Sequence, residues 1–213
     1  MKSKKILDIR VDTDIDIKYV LNKIENEFFK DDTFHYICTT NPEFIIESQK
    51  NKDFKNIINK SDLSVPDGAG VLMASSYLDR VNKISKDTIL YPFASFIIGI
   101  YTGIENIFKK DRRITGVQLT EKICELSHEK GYSVFFLGGC PRDNKGNLIK
   151  SDMDLAQQAA INIRKKYPNA NIIGATSKFS PRKSDDKSTV EYIKKCMRKK
   201  NIKRLDFIFV AYG

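Results

Sequence analysis

Apolar and polar positions along the chain switch repeatedly between a strand rhythm and a helix rhythm. Residues 5–11 read as a strand. At 16–30, Val20, Leu21, Ile24 and Phe28 recur at helical spacing. A short β-rich run at 34–38 follows, then a helix at 42–49 with Pro42 in its first turn. A short strand at 63–65 runs into Pro66-Asp67-Gly68, and a helix follows at 69–78. An amphipathic helix at 117–130 is closed by Gly131. An apolar strand at 133–137 leads into Gly138-Gly139. The remaining expectations are a helix at 152–167 stopped by Pro168, a strand at 171–174, a basic helix at 188–200 and a strand at 205–210. Strands alternating with helices of this length predict an α/β fold, a mostly parallel sheet with helices on both faces. Ligands of such sheets sit outside the carboxyl ends of the strands. That rule selects Thr39-Thr40-Asn41, Asp67-Gly68, Gly138-Gly139 and Gly174-Ala175-Thr176 for inspection.

One stretch breaks the alternation. Residues 89–104 carry no charge, and charged residues flank them: Lys83, Lys86 and Asp87 before, Lys109, Lys110, Arg112 and Arg113 after. The stretch is shorter than the ~20 apolar residues of a spanning helix, and it holds Pro92, Gly99 and Gly103. It predicts an apolar insert, residues 88–112, lying at a membrane interface or re-entering it. The alternative is a buried helical hairpin or a dimer contact.

Composition narrows the class. The 213 residues suit a single domain, 1–213, and 41% hydrophobic with 30% charged residues is a globular balance. The formal charge of +10 points to an anionic partner: nucleic acid, anionic lipid or a phosphorylated substrate. The basic crowd from Lys194 to Arg204 also reads as a solvated helix face. The four cysteines are scattered, without metal spacing or a dense disulfide framework, which fits a reducing cytosol. His35 and His128 are far apart in sequence, which speaks against a multi-histidine metal site. Residues 1–10 lack the apolar core of a signal peptide.

The strand ends carry the candidate chemistry. Pro66 fixes the approach to Asp67, and Gly68 lets a ligand come near the backbone. A carboxylate there can take a proton from an attacking hydroxyl. The competing reading is an ordinary turn, since Pro-Asp-Gly is a favoured turn sequence. Thr39, Thr40 and Asn41 offer hydroxyl and amide groups to a sugar or phosphate, or else cap the helix that begins at Pro42. Gly138-Gly139 either cradles a diphosphate with backbone N–H groups or makes a plain tight turn. Arg113 is placed to reach an anionic group. No Asp-x-Asp pair ends an apolar strand in the manner of a metal-holding pair; Asp12 and Asp14 have the spacing, but they follow the first strand in a run with Asp16. Neutralisation of a diphosphate by cations and backbone dipoles, with no metal, is therefore expected.

In order, TTNPE, VPDGAG, RITGVQL, VFFLGG, KKYPNANIIG and FIFVAYG resemble the WecG/TagA/CpsF glycosyltransferases, glycosyltransferase family 26. The resemblance covers nearly the whole chain. It implies a Rossmann-like three-layer α/β sandwich and inverting transfer from a UDP-sugar, typically UDP-N-acetylmannosamine. The implied acceptor is a polyprenyl-diphosphate-linked sugar in cell-surface polysaccharide synthesis. It implies no cofactor and no metal. It places the protein in the cytoplasm, peripherally on the inner face of the plasma membrane, where an anionic surface is a partner and a homo-oligomer is possible. On this resemblance Asp67 and Thr39 are catalytic and Arg113 binds substrate; the strand-end rule adds Thr40, Asn41, Gly68, Gly138 and Gly139 as substrate-binding candidates.

The chain departs from the family pattern in three places. Gln118 stands where the family usually has an acidic residue. The apolar insert is longer than is typical. Where this chain reaches Ala211-Tyr212-Gly213, the family continues with a Gly-x-Pro-Lys-Gln-Glu type segment and a basic appendage, which makes this chain look like a truncated member, with activity expected to suffer. Two other classes remain: a different α/β nucleotide-binding enzyme, or a non-enzymatic basic module for RNA or membrane. No strand is followed by GxGxxG, and no RNA-binding motif is present, so a nucleic-acid partner is not expected.

Overall fold

The computed structural model describes residues 1–108, 114–139, 154–180 and 183–211. The chain divides into two compact units, Met1–Leu119 and Thr120–Gly213.

The first unit opens with an antiparallel hairpin, β1 (Lys2–Ile6) and β2 (Ile9–Thr13). Leu7 and Asp8 turn it with φ of 48° and 61°, the positive pair of a tight two-residue hairpin turn. The single strand expected at 5–11 is thus two strand arms and their turn. Helix α1 (Ile17–Asn26) is capped by Asp16, which accepts from the Tyr19 N–H at 2.7 Å. Strand β3 (Ile37–Thr40) leads into α2 (Pro42–Lys50), which Asn41 caps. Asn51 then caps α3 (Lys52–Lys60), and β4 (Leu63–Pro66) and α4 (Ala69–Val81) follow. Strands β3 and β4 are parallel, with Thr39 opposite Val65 and Thr40 opposite Pro66. Strand β2 is tied to β4 by side chains, the Ser64 N–H donating to Asp12 Oδ2 at 2.8 Å. Ile6, Ile9, Val11, Ile45, Ile58 and Val71 form the core, each worth ~1.5–3 kcal/mol of burial.

The apolar insert contains the helix α5 (Tyr91–Phe108), packed along α4; residues 109–112 of the insert lie outside the described residues. Its glycines face that neighbour. A Cβ on Gly103 would lie 3.4 Å from Met73, and one on Gly99 would lie 3.7 Å from Tyr77. No helix among the described residues is long and apolar enough to cross a membrane.

Helix α6 (Gly116–Lys130) begins in the first unit and runs into the second. There β5 (Ser133–Gly138), β6 (Asn171–Thr176) and β7 (Phe207–Ala211) form a parallel sheet in the order β6-β5-β7. Every residue of β5 is buried, as expected of a parallel strand covered on both faces. Val134 and Phe136 pack with Cys124 of α6 and with Ala156 and Ala160 of α7 (Leu155–Lys166). Phe135 and Leu137 point the other way, to Ile193 of α8 (Asp186–Lys199). The α/β class with parallel strands is therefore present, accompanied by one antiparallel hairpin.

Candidate functional site

The parallel pair β3–β4 ends in a cluster of polar groups. Pro66 has no N–H to give, so the ladder is extended by the next residue, whose N–H (Asp67) donates to the Thr40 carbonyl at 2.8 Å. This fixes the Asp67 backbone just past the strand end, with its side chain half-buried. The first-turn N–H of α6, from Gly116, donates to Asp67 Oδ2 at 3.1 Å. The first N–H groups of a helix lack intrahelical partners and carry its positive end, so the carboxylate is both held and favoured there. Among the described residues, Asp67 Oδ1 carries no hydrogen bond.

Thr39 completes the cluster. A methyl placed on Gly116 would sit 3.2 Å from Thr39 Oγ1 and 3.3 Å from Asp67 Oδ2. The three residues come from β3, the β4–α4 loop and the start of α6, and a side chain at 116 would crowd both of the others. Gly68 follows with φ of 89°, and an added Cβ there would meet nothing within 4 Å. The backbone beside the carboxylate is therefore open to a ligand. Gly68 also begins α4 without a side-chain cap.

The neighbouring threonine and asparagine are used differently. Thr40 is fully buried, and its hydroxyl bonds Ser64 Oγ at 2.7 Å. Asn41 accepts from the Phe44 N–H at 2.8 Å, the cap of α2. Thr115 and Gln118 form a reciprocal capping box on α6. The Thr115 N–H donates to Gln118 Oε1 at 3.2 Å, and the Gln118 N–H donates to Thr115 Oγ1 at 3.1 Å. The Gln118 side chain thus holds the helix start that presents Gly116.

In the second unit, Gly138 and Gly139 both have positive φ, 97° and 82°. Their polar groups serve the fold: the Gly139 N–H donates to the Ala211 carbonyl at 2.6 Å, and the Gly138 carbonyl accepts from Ser177 Oγ at 2.6 Å. Arg113 lies outside the described residues. Sequence reasoning missed Gly116; its signal was Thr-x-x-Gln at 115–118, which marks a helix start.

Other candidate groups are occupied elsewhere. Asp12 is 1% exposed and is bonded by Ser3 Oγ, the Ser64 N–H and Arg10 Nη2. Asp14 pairs with Lys2 at 3.6 Å. Burial pushes the Cys124 thiol up to about 12 and raises Cys38 as well, so neither is a ready thiolate.

A search of curated proteins returns no match to this chain. The profile of the Glycosyl transferase WecG/TagA/CpsF family matches residues 4–89 and 102–213. The match takes in Thr39, Asp67 and Gly116 and leaves out residues 90–101, within the apolar insert. The chain therefore belongs to the WecG/TagA/CpsF family of glycosyltransferases, enzymes of cell-surface polysaccharide synthesis.

Proposed function

We propose that the protein transfers N-acetylmannosamine or a closely related sugar from its UDP-sugar to a polyprenyl-diphosphate-linked acceptor, with inversion and without a metal, at the cytoplasmic face of the plasma membrane. The observation that carries this reading is the Thr39–Asp67–Gly116 cluster at the carboxyl end of β3–β4. Asp67 is the general base. Gly116 holds Oδ2, leaving Oδ1 to accept the proton of the acceptor hydroxyl. The oxygen then attacks the anomeric carbon on the face opposite the diphosphate. The bond from that carbon to the diphosphate oxygen breaks, and UDP leaves with the electron pair. Thr39 Oγ1 donates to the sugar or the diphosphate from beside the base. The open backbone at Gly68 and the uncapped start of α4 supply N–H dipoles for the leaving diphosphate.

Metal independence is supported by the occupation of Asp12, whose carboxylate is buried in protein hydrogen bonds. A Rossmann-like three-layer sandwich is supported by the parallel strands and by the helices on both faces of β5. Arg113 remains a candidate for the diphosphate.

Asp67→Asn tests the reading. Asn keeps a carbonyl oxygen for the Gly116 N–H but cannot take the proton. Transfer is expected to fall ~10²–10⁴-fold, while UDP affinity measured by calorimetry stays close to that of the parent. Parent-like turnover in the Asn variant would reduce Asp67 to a turn residue.

A further inference from the structure

Helix α5 is built inside out. Its polar side chains face the protein. Thr102 is fully buried and accepts from Arg80 Nη1 at 2.9 Å, and Glu105 pairs with Arg80 Nη2. Its apolar side chains face outward. Phe93, Phe96, Ile97, Ile100, Tyr101 and Ile104 are all exposed, Phe93 and Phe96 to 67% and 66%. At 3.6 residues per turn, Phe93 and Thr102 stand about two and a half turns apart, on opposite sides of the helix. The outward residues fall at i, i+3, i+4, i+7, i+8 and i+11, one continuous stripe about 17 Å long. Helices facing water place charge on that side and apolar residues inside. The reversal here leaves an apolar face that calls for an apolar surface to cover it.

Ahead of the stripe, the chain presents Ile89 at 95% exposure and Leu90 at 66%. Lys83, Lys86 and Asp87, also exposed and net cationic, precede them. An apolar stripe with cations at its margin is the pattern of an element lying in the headgroup–acyl boundary. The chain's charge of +10 favours an anionic surface and opposes the approach of a second copy.

We infer that the outward stripe of α5 docks the protein on an anionic lipid bilayer, lying in the interface with Lys83 and Lys86 against the headgroups. The inference rests on the proposed lipid-linked acceptor only for its purpose, to bring the site to a substrate that stays in the bilayer. The docking itself follows from the helix.

Flotation of the whole chain with mixed phosphatidylglycerol–phosphatidylcholine vesicles tests it, without any sugar substrate. The parent should float. Phe96→Glu/Ile100→Glu, which alters only exposed positions, should keep its thermal melt and bind at least ~10-fold more weakly. Lys83→Glu/Lys86→Glu should lose less, and should lose it only on vesicles containing the anionic lipid. Light scattering should give the mass of one chain for all three. Docking is overturned if the parent does not float, or if the double glutamate variant floats as the parent does. It is also overturned if the parent is a dimer that the glutamates split, since the stripe is then a self-contact. Should the glutamates unfold the protein, the lysine variant decides: parent-like flotation on anionic vesicles overturns the proposal. Transfer to a short, water-soluble acceptor separates this inference from the function. A parent that floats but never transfers leaves docking standing and removes the transferase reading, and the reverse holds as well.

Discussion

The two ends of the β3–β4 pair use the same kinds of residue for opposite purposes. At the amino ends, His35 lies between two carboxylates, Nδ1 on Asp62 at 3.0 Å and Nε2 on Asp31 at 3.0 Å. Asp62 also accepts from the Tyr36 N–H at 2.9 Å, and the His35 ring stacks on Phe28 at 4.2 Å. Every polar group of that latch meets a partner from the protein. At the carboxyl ends, Asp67 is held by a single N–H, Thr39 stands beside it, and Gly68 leaves the backbone open. One end is closed by its own side chains, and the other keeps a carboxylate oxygen for something from outside. The open end is where α/β sheets bind ligands. The difference lies in what each carboxylate has left to bind: both oxygens of Asp62 are taken, while among the described residues Asp67 keeps Oδ1 without a hydrogen bond.

The contrast breaks most readily at Asp67. Asp67→Asn should cost ~10²–10⁴-fold in transfer, about 3–5 kcal/mol of barrier, with a melting temperature near that of the parent. Asp62→Asn at the closed end should do the reverse, leaving transfer within about twofold and lowering stability by about 1 kcal/mol. If both variants lose activity in step with stability, the two ends do not differ. Gly116→Ala comes next in size. Its added methyl must share space with Thr39 Oγ1 at 3.2 Å and Asp67 Oδ2 at 3.3 Å. Transfer should drop about tenfold through displacement of the base. A single-turnover assay read beside a thermal melt separates that loss from unfolding.

Much of this frame was legible beforehand because the signals were local. Pro42 announced α2, the apolar run at 133–137 announced β5, and Pro66-Asp67-Gly68 announced the end of β4. What was not legible depended on residues acting against their usual habits. The β1–β2 turn uses Leu7 and Asp8 at positive φ where Gly or Asn is the usual flag. Helix α3 was hidden because Asn51 ends one helix and caps the next, leaving no loop between them. The residues at 89–104 gave no periodic contrast, so whether they formed a helix, and which side faced outward, had to come from Arg80 and the glycines packed on α4. At the site, Thr39 and Asp67 were selected by the strand-end rule. Gly116 comes from a distant segment, and only the folded chain brings it to the carboxylate.

His35→Ala sharpens the closed end further. It removes the bridge between Asp31 and Asp62 together with the ring stacked on Phe28. The expected loss is about 1 kcal/mol, read by denaturant unfolding, with transfer at neutral pH unchanged. A variant as stable as the parent would mean that the latch decorates the strand ends without holding them.

The smallest expected effect is the dependence of that latch on pH, and its sign follows from the charges. The hydrogen bond to Asp62 raises the His35 pKa above its ordinary 6.5, with Asp31 adding to it against the opposing effect of burial. A group whose native pKa is raised adds stability that is complete below 6.5 and disappears as pH climbs through the native value. The Asp31 carboxyl moves the other way, down to about 2, through the Thr33 N–H, the Thr33 hydroxyl and His35. For Asp62, burial alone would raise the pKa, but the His35 and Tyr36 hydrogen bonds outweigh it and the net direction is down. The carboxylate contributions are present above about 3.8 and are lost as pH falls toward 2. The latch is therefore strongest between about pH 4 and 6.5. Unfolding free energies of the parent and of His35→Gln, measured from pH 5 to 9, should differ most at the acid end and converge as His35 deprotonates. For the His35–Asp62 pair, the change is expected to stay below about 1 kcal/mol. A difference that grows with pH would show that His35 is held neutral in the native protein and that the two carboxylates are neutralised by other groups.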